Sequence, residues 1–110
     1  MMNKSCLFVV DVQNGFVSQA TDYVVKRINS LLAMGLFDYV IFTRFINSQG
    51  SPYMRYLKWD KFLTGKEIEI VDILKPFAKN VVDKHIYSGI NENVLKFIQS
   101  NNISTAFICG

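Results

Sequence analysis

The sequence lacks a hydrophobic run long enough to cross a membrane, because its apolar residues occur in short segments. The amino terminus does not resemble a signal peptide, since the apolar stretch after Lys4 is interrupted at Asp11 and no small-residue cleavage site follows. Cysteine is scarce: Cys6 and Cys109 are the two cysteines, and both lie in apolar segments, which is typical of buried thiols in a reducing compartment. We therefore expect a cytoplasmic protein that does not contact a membrane.

Several common kinds of binding site are also missing from the sequence. His85 is the only histidine, so a zinc site built on several histidine ligands is not available. No Gly-x-Gly-x-x-Gly or Gly-x-x-x-x-Gly-Lys sequence occurs, which argues against dinucleotide and nucleotide-hydrolysis sites. The formal net charge is +3, and the basic residues are scattered among acidic ones, so no basic stripe indicates nucleic acid. The sequence therefore predicts no metal, no cofactor and no nucleic-acid partner.

The apolar segments alternate between strand-like and helix-like patterns. Apolar runs typical of strands cover residues 7–10, 39–43, 81–82 and 105–109. Helical spacing covers Val24 to Leu32 and a second segment that Asn91 caps, with an expected buried face of Val94, Leu95 and Ile98. This succession predicts one α/β domain over residues 1–110, a three-layer α/β/α Rossmann-like parallel sheet.

The last strand-like segment raises a problem of pairing. Residues 106–109 are apolar on both faces, which is typical of a strand inside a sheet, yet the sequence ends at Gly110. An exposed apolar strand edge invites pairing with another chain. We therefore expect a fold that is incomplete at its C-terminus. Either a homo-oligomer covers this edge or, as we favour, residues 1–110 are the amino-terminal part of a longer polypeptide.

An aspartate directly follows the first strand-like run. Residues 7–10 are apolar on both faces, as in a strand buried inside a parallel sheet, and Asp11 comes at the carboxyl end of that run. Because open α/β sheets bind ligands at this edge, Asp11 is a candidate for chemistry. An aspartate here also commonly caps the next turn, and Lys84 by itself would be a solvated lysine in most proteins. The pattern alone leaves both interpretations open.

The segment 47–66 is polar and rich in aromatic residues. A loop of this length in a compact domain is usually functional, often as a lid or a binding wall. Its aromatic residues either line a pocket or pack into a small subsidiary core; they include Tyr53, Tyr56 and Trp59.

Four segments together resemble the isochorismatase-like cysteine hydrolases. Residues 7–16, LFVVDVQNGF, are similar to the family's first motif: an apolar strand, Asp, a spacer, Gln-Asn, a further residue and Phe. Residues 43–47 resemble the end of its second strand, and residues 84–89, KHIYSG, resemble its lysine motif. Residues 91–110 resemble the helix and strand that lead to the glycine before the nucleophile turn. The motifs occur in the family's order over nearly the whole chain.

The resemblance implies a hydrolase that acts on a small amide or a related electrophile through an Asp-Lys-Cys site. Asp11 and Lys84 match the first two positions; the aspartate takes the thiol proton, and the lysine favours the ionised thiol by its charge. Phe16 matches an aromatic residue that lines the family's pocket, and Trp59 and Tyr87 are further candidates for substrate binding.

The nucleophilic cysteine expected from the resemblance would lie just beyond Gly110. Cys109 precedes that glycine on the strand, remote from a helix N-terminus that could stabilise a thiolate, so we do not assign it this role. No Asp-x-His metal motif occurs between Asn47 and Asp83, which argues against the nicotinamidase branch.

Two other functional classes compete with the hydrolase. A non-catalytic truncated relative would act as a binding or oligomerising domain through its last strand. A phosphoacceptor signalling domain would need acids clustered around magnesium, and Asp11 has no acidic neighbour before Asp22. We therefore keep the first of these as the alternative.

Overall fold

The computed structural model describes residues 3–85 and 91–110, and in these ranges four parallel strands form one sheet of order β3-β2-β1-β4. The strands are β1 (Lys4–Val10), β2 (Tyr39–Phe45), β3 (Val81–Lys84) and β4 (Ile103–Cys109). The α-helices of the described ranges are α1 (Asp22–Ala33), α2 (Pro52–Leu57) and α3 (Glu92–Ser100). Short 3-10 helices cover Asn14–Phe16, Lys66–Ile68 and Asp72–Phe77. The predicted α/β class with a parallel sheet is confirmed.

The sheet carries a separate hydrophobic cluster on each face because neighbouring side chains of a strand point to opposite sides. On one face, Leu7 and Val9 of β1 pack with Val25, Ile28 and Leu32 of α1. On the other face, the cluster of buried residues joins β1 and β2 to α3 through Cys6, Phe8, Ile41 and Val94. These two clusters give the predicted three layers.

The second predicted helix begins where the sequence indicated, but one residue of its expected buried face is exposed. The side chain of Asn91 accepts a hydrogen bond from the Val94 amide at 3.0 Å, which caps α3. Val94 is buried and Ile98 partly buried, whereas Leu95 is 48% exposed. The prediction for Leu95 is wrong because the residues of α3 packed against the sheet follow i, i+3 and i+4 spacing from Val94, and Leu95 lies outside that strip.

Strand β4 lies at an edge of the sheet within the described residues. It pairs there with β1, and Phe107 and Ile108 are 49% and 77% exposed. The apolar sequence of residues 106–109 is therefore typical of an interior strand, while its position is that of an edge. A partner for this edge stays a prediction.

The segment 47–66 is more ordered than the predicted loop. It contains α2, which Ser51 caps by accepting a hydrogen bond from the Met54 amide. Pro52 occupies the first helical position, where its missing amide hydrogen is not needed. Across the ranges that the structure describes, no helix is long and apolar enough to span a membrane.

Candidate active site

Two residues predicted for chemistry, Asp11 and Lys84, meet at the carboxyl end of the sheet. The Nζ atom of Lys84 lies 3.0 Å from Oδ2 of Asp11. Lys84 is buried at the end of β3, and the Asp11 side chain keeps partial exposure. The two strands are not neighbours; β2 lies between them, and the pair forms because parallel strands end at the same edge of a sheet.

Thr43, on the intervening strand, holds the other oxygen of the Asp11 carboxylate. Its hydroxyl donates a hydrogen bond to Oδ1 of Asp11 at 2.8 Å, and the Asp11 amide donates to the carbonyl of Thr43 at 3.1 Å. Asp11 has a φ of +55°, a left-handed conformation that aspartate tolerates better than most residues. A threonine is ordinary in a strand, so nothing in the sequence indicated this role of Thr43.

The amide of Gln13 fixes the turn that follows Asp11. Gln13 is completely buried; its Nε2 donates to the carbonyls of Phe45 and Ile68, both at 2.8 Å, and its Oε1 accepts from the Phe45 amide at 2.7 Å. One side chain thereby ties the end of β1 to the end of β2 and to the segment after Lys66. Its place in the Gln-Asn pair of the first motif was the signal in the sequence that could have indicated this role.

A cavity of about 370 Å³ opens over the Asp11–Lys84 pair. Aromatic and aliphatic side chains form most of its wall, and the lining residues are Asp11, Phe16, Phe45, Tyr53, Leu57, Trp59 and Lys84. The structure thus brings Phe16 and Trp59 to the same cavity as the ion pair. Tyr87, the third predicted substrate-binding residue, lies outside the described residues.

Tyr53 and Trp59 of segment 47–66 belong both to the wall of the cavity and to a small aromatic core. Tyr53 and Trp59 lie 5.9 Å apart between ring centroids, and Phe45 of β2 contacts both. Tyr56 does not line the cavity and is 74% exposed. Both interpretations that the sequence left open, a pocket wall and a small core, therefore apply to Tyr53 and Trp59.

A second buried amide, Asn47, organises this wall. Its Nδ2 donates to the carbonyls of Trp59 and Lys61, and its Oδ1 accepts from the hydroxyl of Ser51 at 2.6 Å. Because these contacts join the start of the segment to its middle, Asn47 holds the backbone that carries Trp59 close to the end of β2.

Neither cysteine of the chain is in an environment that activates a thiol. Burial in the centre of β1 raises the pKa of Cys6 to about 11. Burial also raises the pKa of Cys109, at the end of β4. A nucleophilic thiolate needs the opposite shift. In the described part of the chain, no group of three or more His, Cys, Asp or Glu side chains could hold a metal ion.

Comparison with known proteins identifies the family of the chain. The family model of the isochorismatase domain matches residues 5–110. None of the curated proteins matches the chain.

Several solved structures share the fold at low identity. They include N-carbamoylsarcosine amidase from Thermoplasma acidophilum (TM-score 0.80, 22% identity) and an isochorismatase-like hydrolase from Alkaliphilus metalliredigens (TM-score 0.81, 14% identity). A nicotinamidase from Bacillus subtilis superposes with a TM-score of 0.72 at 19% identity. Each alignment covers 97% of this chain, but only 67%, 66% and 70% of the respective neighbour. The chain thus spans about two thirds of the length of these structures, and by its family match it belongs to the isochorismatase-like hydrolase family.

Proposed function

We propose that this chain supplies the aspartate and the lysine of a cysteine hydrolase that acts on a small amide or a related electrophile. The observation that carries the proposal is the 3.0 Å contact between Lys84 Nζ and Asp11 Oδ2 at the base of an aromatic cavity. The third member of the site is a cysteine that follows Gly110 in the natural polypeptide. The structural neighbours are longer than the part that matches this chain, which supports a longer natural polypeptide.

In the first half of the proposed reaction, Asp11 takes the proton of the cysteine thiol. The sulfur attacks the amide carbonyl carbon, a C–S bond forms, and the carbonyl oxygen becomes an oxyanion. When the oxyanion collapses, the C–N bond breaks, and Asp11 returns its proton to the nitrogen that leaves as ammonia. Lys84 favours the ionised thiol by its positive charge.

In the second half of the reaction, water hydrolyses the thioester between the cysteine and the acyl group. The oxygen of the water attacks the thioester carbon while Asp11 takes a proton from that water. The C–S bond breaks when the tetrahedral intermediate collapses. The proton then returns to the sulfur, and the carboxylic acid leaves. The balance is one amide and one water converted to one acid and one ammonia.

The cavity suits a small substrate with a polar reacting group and an apolar body. Its volume of about 370 Å³ is near the lower end of the roughly 300–1,000 Å³ range of ligand pockets. Asp11 and Lys84 are paired at its base, while Phe16, Tyr53 and Trp59 supply apolar wall. We infer a small-molecule substrate from this cavity. A single cytoplasmic domain without nucleic-acid or membrane partners stays a prediction from the sequence.

Ammonia release from a panel of small primary amides by the natural polypeptide that contains these residues tests the proposal. We expect Asp11→Asn and Lys84→Met each to lower kcat by at least about 10³-fold, since members of a catalytic unit are not replaceable singly. Cys109→Ser is the matched control and keeps the activity. Activity that survives Asp11→Asn contradicts the proposal, and loss of activity in Cys109→Ser contradicts the placement of the nucleophile.

The alternative is a non-catalytic relative that binds or oligomerises through β4. The observation that favours it is the exposure of Phe107 and Ile108 on that strand. It predicts a homo-oligomer in sedimentation experiments that Ile108→Lys dissociates, together with no ammonia release from any amide. The hydrolase predicts ammonia release, whether or not the natural polypeptide is an oligomer.

A further inference from the structure

We propose that Phe62 sets the width of the cavity and so the size of the substrate body that the cavity accepts. The inference rests on the proposed function in one respect, because it takes the cavity to be the place where a small molecule binds. Phe62 is a positioning residue in this proposal: it is 3% exposed and does not itself line the cavity.

The ring of Phe62 contacts both wall residues predicted for substrate binding. Its centroid lies 4.0 Å from that of Phe16, with the rings inclined by 23°, and 5.5 Å from that of Trp59, with an inclination of 28°. Phe16 follows β1 and Trp59 follows α2, so these two residues belong to distant parts of the chain. Phe62 therefore fixes where each of these two walls stands.

The backbone of Phe62 is held in a conformation that a phenylalanine rarely adopts. Its φ is +63°, in the left-handed region that favours glycine. The backbone amide of Phe62 donates to a carboxylate oxygen of Glu67 at 2.6 Å. The carbonyl of Phe62 accepts from the backbone amide of Asn47 at 2.7 Å. Unfavourable backbone conformations persist where surrounding contacts enforce them, commonly at functional sites.

Gly15 provides the space that the Phe62 ring occupies. A Cβ atom at Gly15 would lie 2.5 Å from Cζ of Phe62 and 3.0 Å from its Cε1, so a larger residue would force the ring away. Gly15 is not among the residues with positive φ, and its backbone conformation does not require glycine. The glycine is needed for close approach, which lets Phe62 reach Phe16.

Replacing Phe62 by a smaller residue therefore opens room behind Phe16 and Trp59. Phe62→Leu removes part of the ring volume, and the two wall residues gain space to move apart. We expect the ratio of the dissociation constants for benzamide and 2-naphthamide to shift by at least about fivefold toward the larger amide, a size typical of discrimination by apolar pockets.

The binding of benzamide and 2-naphthamide is measured with the 110-residue chain, through the fluorescence of its single tryptophan, Trp59. The matched control is Phe97→Leu, which truncates a partly buried ring that contacts Tyr39 on the other face of the sheet. The expected result is a shifted ratio in Phe62→Leu and an unshifted ratio in Phe97→Leu. If both dissociation constants change by the same factor in Phe62→Leu, the residue is merely structural and the proposal fails. Should Phe62→Leu not fold, Phe62→Met provides the same comparison.

A second measurement separates this inference from the proposed function. If the unaltered chain binds neither amide, small-amide binding in this cavity is contradicted, and acrylamide quenching of Trp59 then decides the role of Phe62. A wider cavity predicts faster quenching in Phe62→Leu than in the unaltered chain, with no change in Phe97→Leu. Equal quenching in all three proteins overturns the inference.

Discussion

The two ends of the sheet differ in how they hold polar side chains. At the amino end, the carboxylate of Asp38 accepts a hydrogen bond of 2.8 Å from the backbone amide of Ser5, and this pair is exposed to solvent. At the carboxyl end and in the segment that follows β2, several polar side chains are buried, although the Arg44–Asp83 pair near the ends of β2 and β3 is exposed. The buried polar residues of the described ranges are Gln13, Thr43, Asn47, Ser51 and Lys84. Every buried side-chain nitrogen or oxygen in the described part of the chain has a hydrogen-bond partner.

This difference shows what a positioned polar site requires of a fold. Burying a polar group costs free energy unless it is hydrogen-bonded, so each group at the carboxyl end depends on its partner. Exposed polar groups at the amino end exchange their partners for water at little cost. We therefore expect substitutions at the carboxyl end to lower the free energy of unfolding much more than similar substitutions at the amino end.

Lys84→Met tests the comparison with the largest expected effect. It removes the cation beside Asp11 and leaves the carboxylate partly buried without that partner. We expect the free energy of unfolding to fall by about 4 kcal/mol, as for other buried pairs that lose one member. Urea denaturation provides the measurement, and the double variant Asp11→Asn/Lys84→Met recovers part of the loss. A change below about 1 kcal/mol, the size typical of exposed pairs, contradicts this view of the site.

Gln13→Leu removes the buried side-chain amide at the end of β1 and has the second largest expected effect. Three hydrogen bonds are lost, and backbone groups of Phe45 and Ile68 lose a partner. We expect a loss of about 3 kcal/mol in unfolding free energy, because unsatisfied buried groups carry a desolvation cost. The matched control, Gln99→Leu on the exposed surface of α3, changes stability little. Equal effects of the two substitutions run against the expectation.

Thr43→Val removes the hydroxyl that holds Oδ1 of Asp11 and keeps the shape of the side chain. We expect a loss of about 1.5 kcal/mol, the lower end of the range for hydrogen bonds to charged groups. Thr43→Ser retains the hydroxyl and should keep the Asp11 side chain in one rotamer, which three-bond carbon couplings in NMR measure. A single Asp11 rotamer in Thr43→Val rules out the role of the hydroxyl.

Asp38→Asn gives the smallest effect and sharpens the comparison through its pH dependence. The hydrogen bond from the Ser5 amide lowers the pKa of the Asp38 carboxyl below its ordinary value. A folded-state pKa below the unfolded value contributes stability above the unfolded pKa of about 3.9, and this contribution is lost as the pH falls through the folded pKa.

The Asp38 prediction is checked by urea midpoints near neutral pH and at about pH 2. We expect Asp38→Asn to lower the midpoint slightly near neutral pH and to match the unaltered chain in acid. A difference that persists at low pH argues against this carboxylate as its source.

Much of the fold could be predicted because local patterns and the tertiary structure agree. Residues 7–10 are apolar on both faces, and β1 is buried between two layers as that pattern indicates. The N-cap of α3 at Asn91 could be predicted because capping depends on residues close in sequence. Leu95 was misjudged because the number of faces a short helix buries depends on what it packs against.

In the candidate site, too, some residues could be predicted from the sequence and others could not. Asp11 and Lys84 could be placed at one edge because parallel strands end together, whichever strands are neighbours. The roles of Thr43 and Phe62 could not be predicted, since each depends on contacts between segments far apart in the chain. A threonine in a strand and a phenylalanine in a loop carry no local signal for such contacts.

The sequence by itself determined the succession of the four strands with α1 and α3, most of the apolar faces, and the two charged residues at the ends of strands. These properties follow from local periodicity and from the chemistry of single residues. Only the tertiary structure decided which oxygen of Asp11 faces Lys84, that Thr43 holds the other, and that Phe62 contacts both Phe16 and Trp59. The reason is physical: such contacts form only when the packing of the whole sheet brings distant segments to fixed distances and excludes water from them.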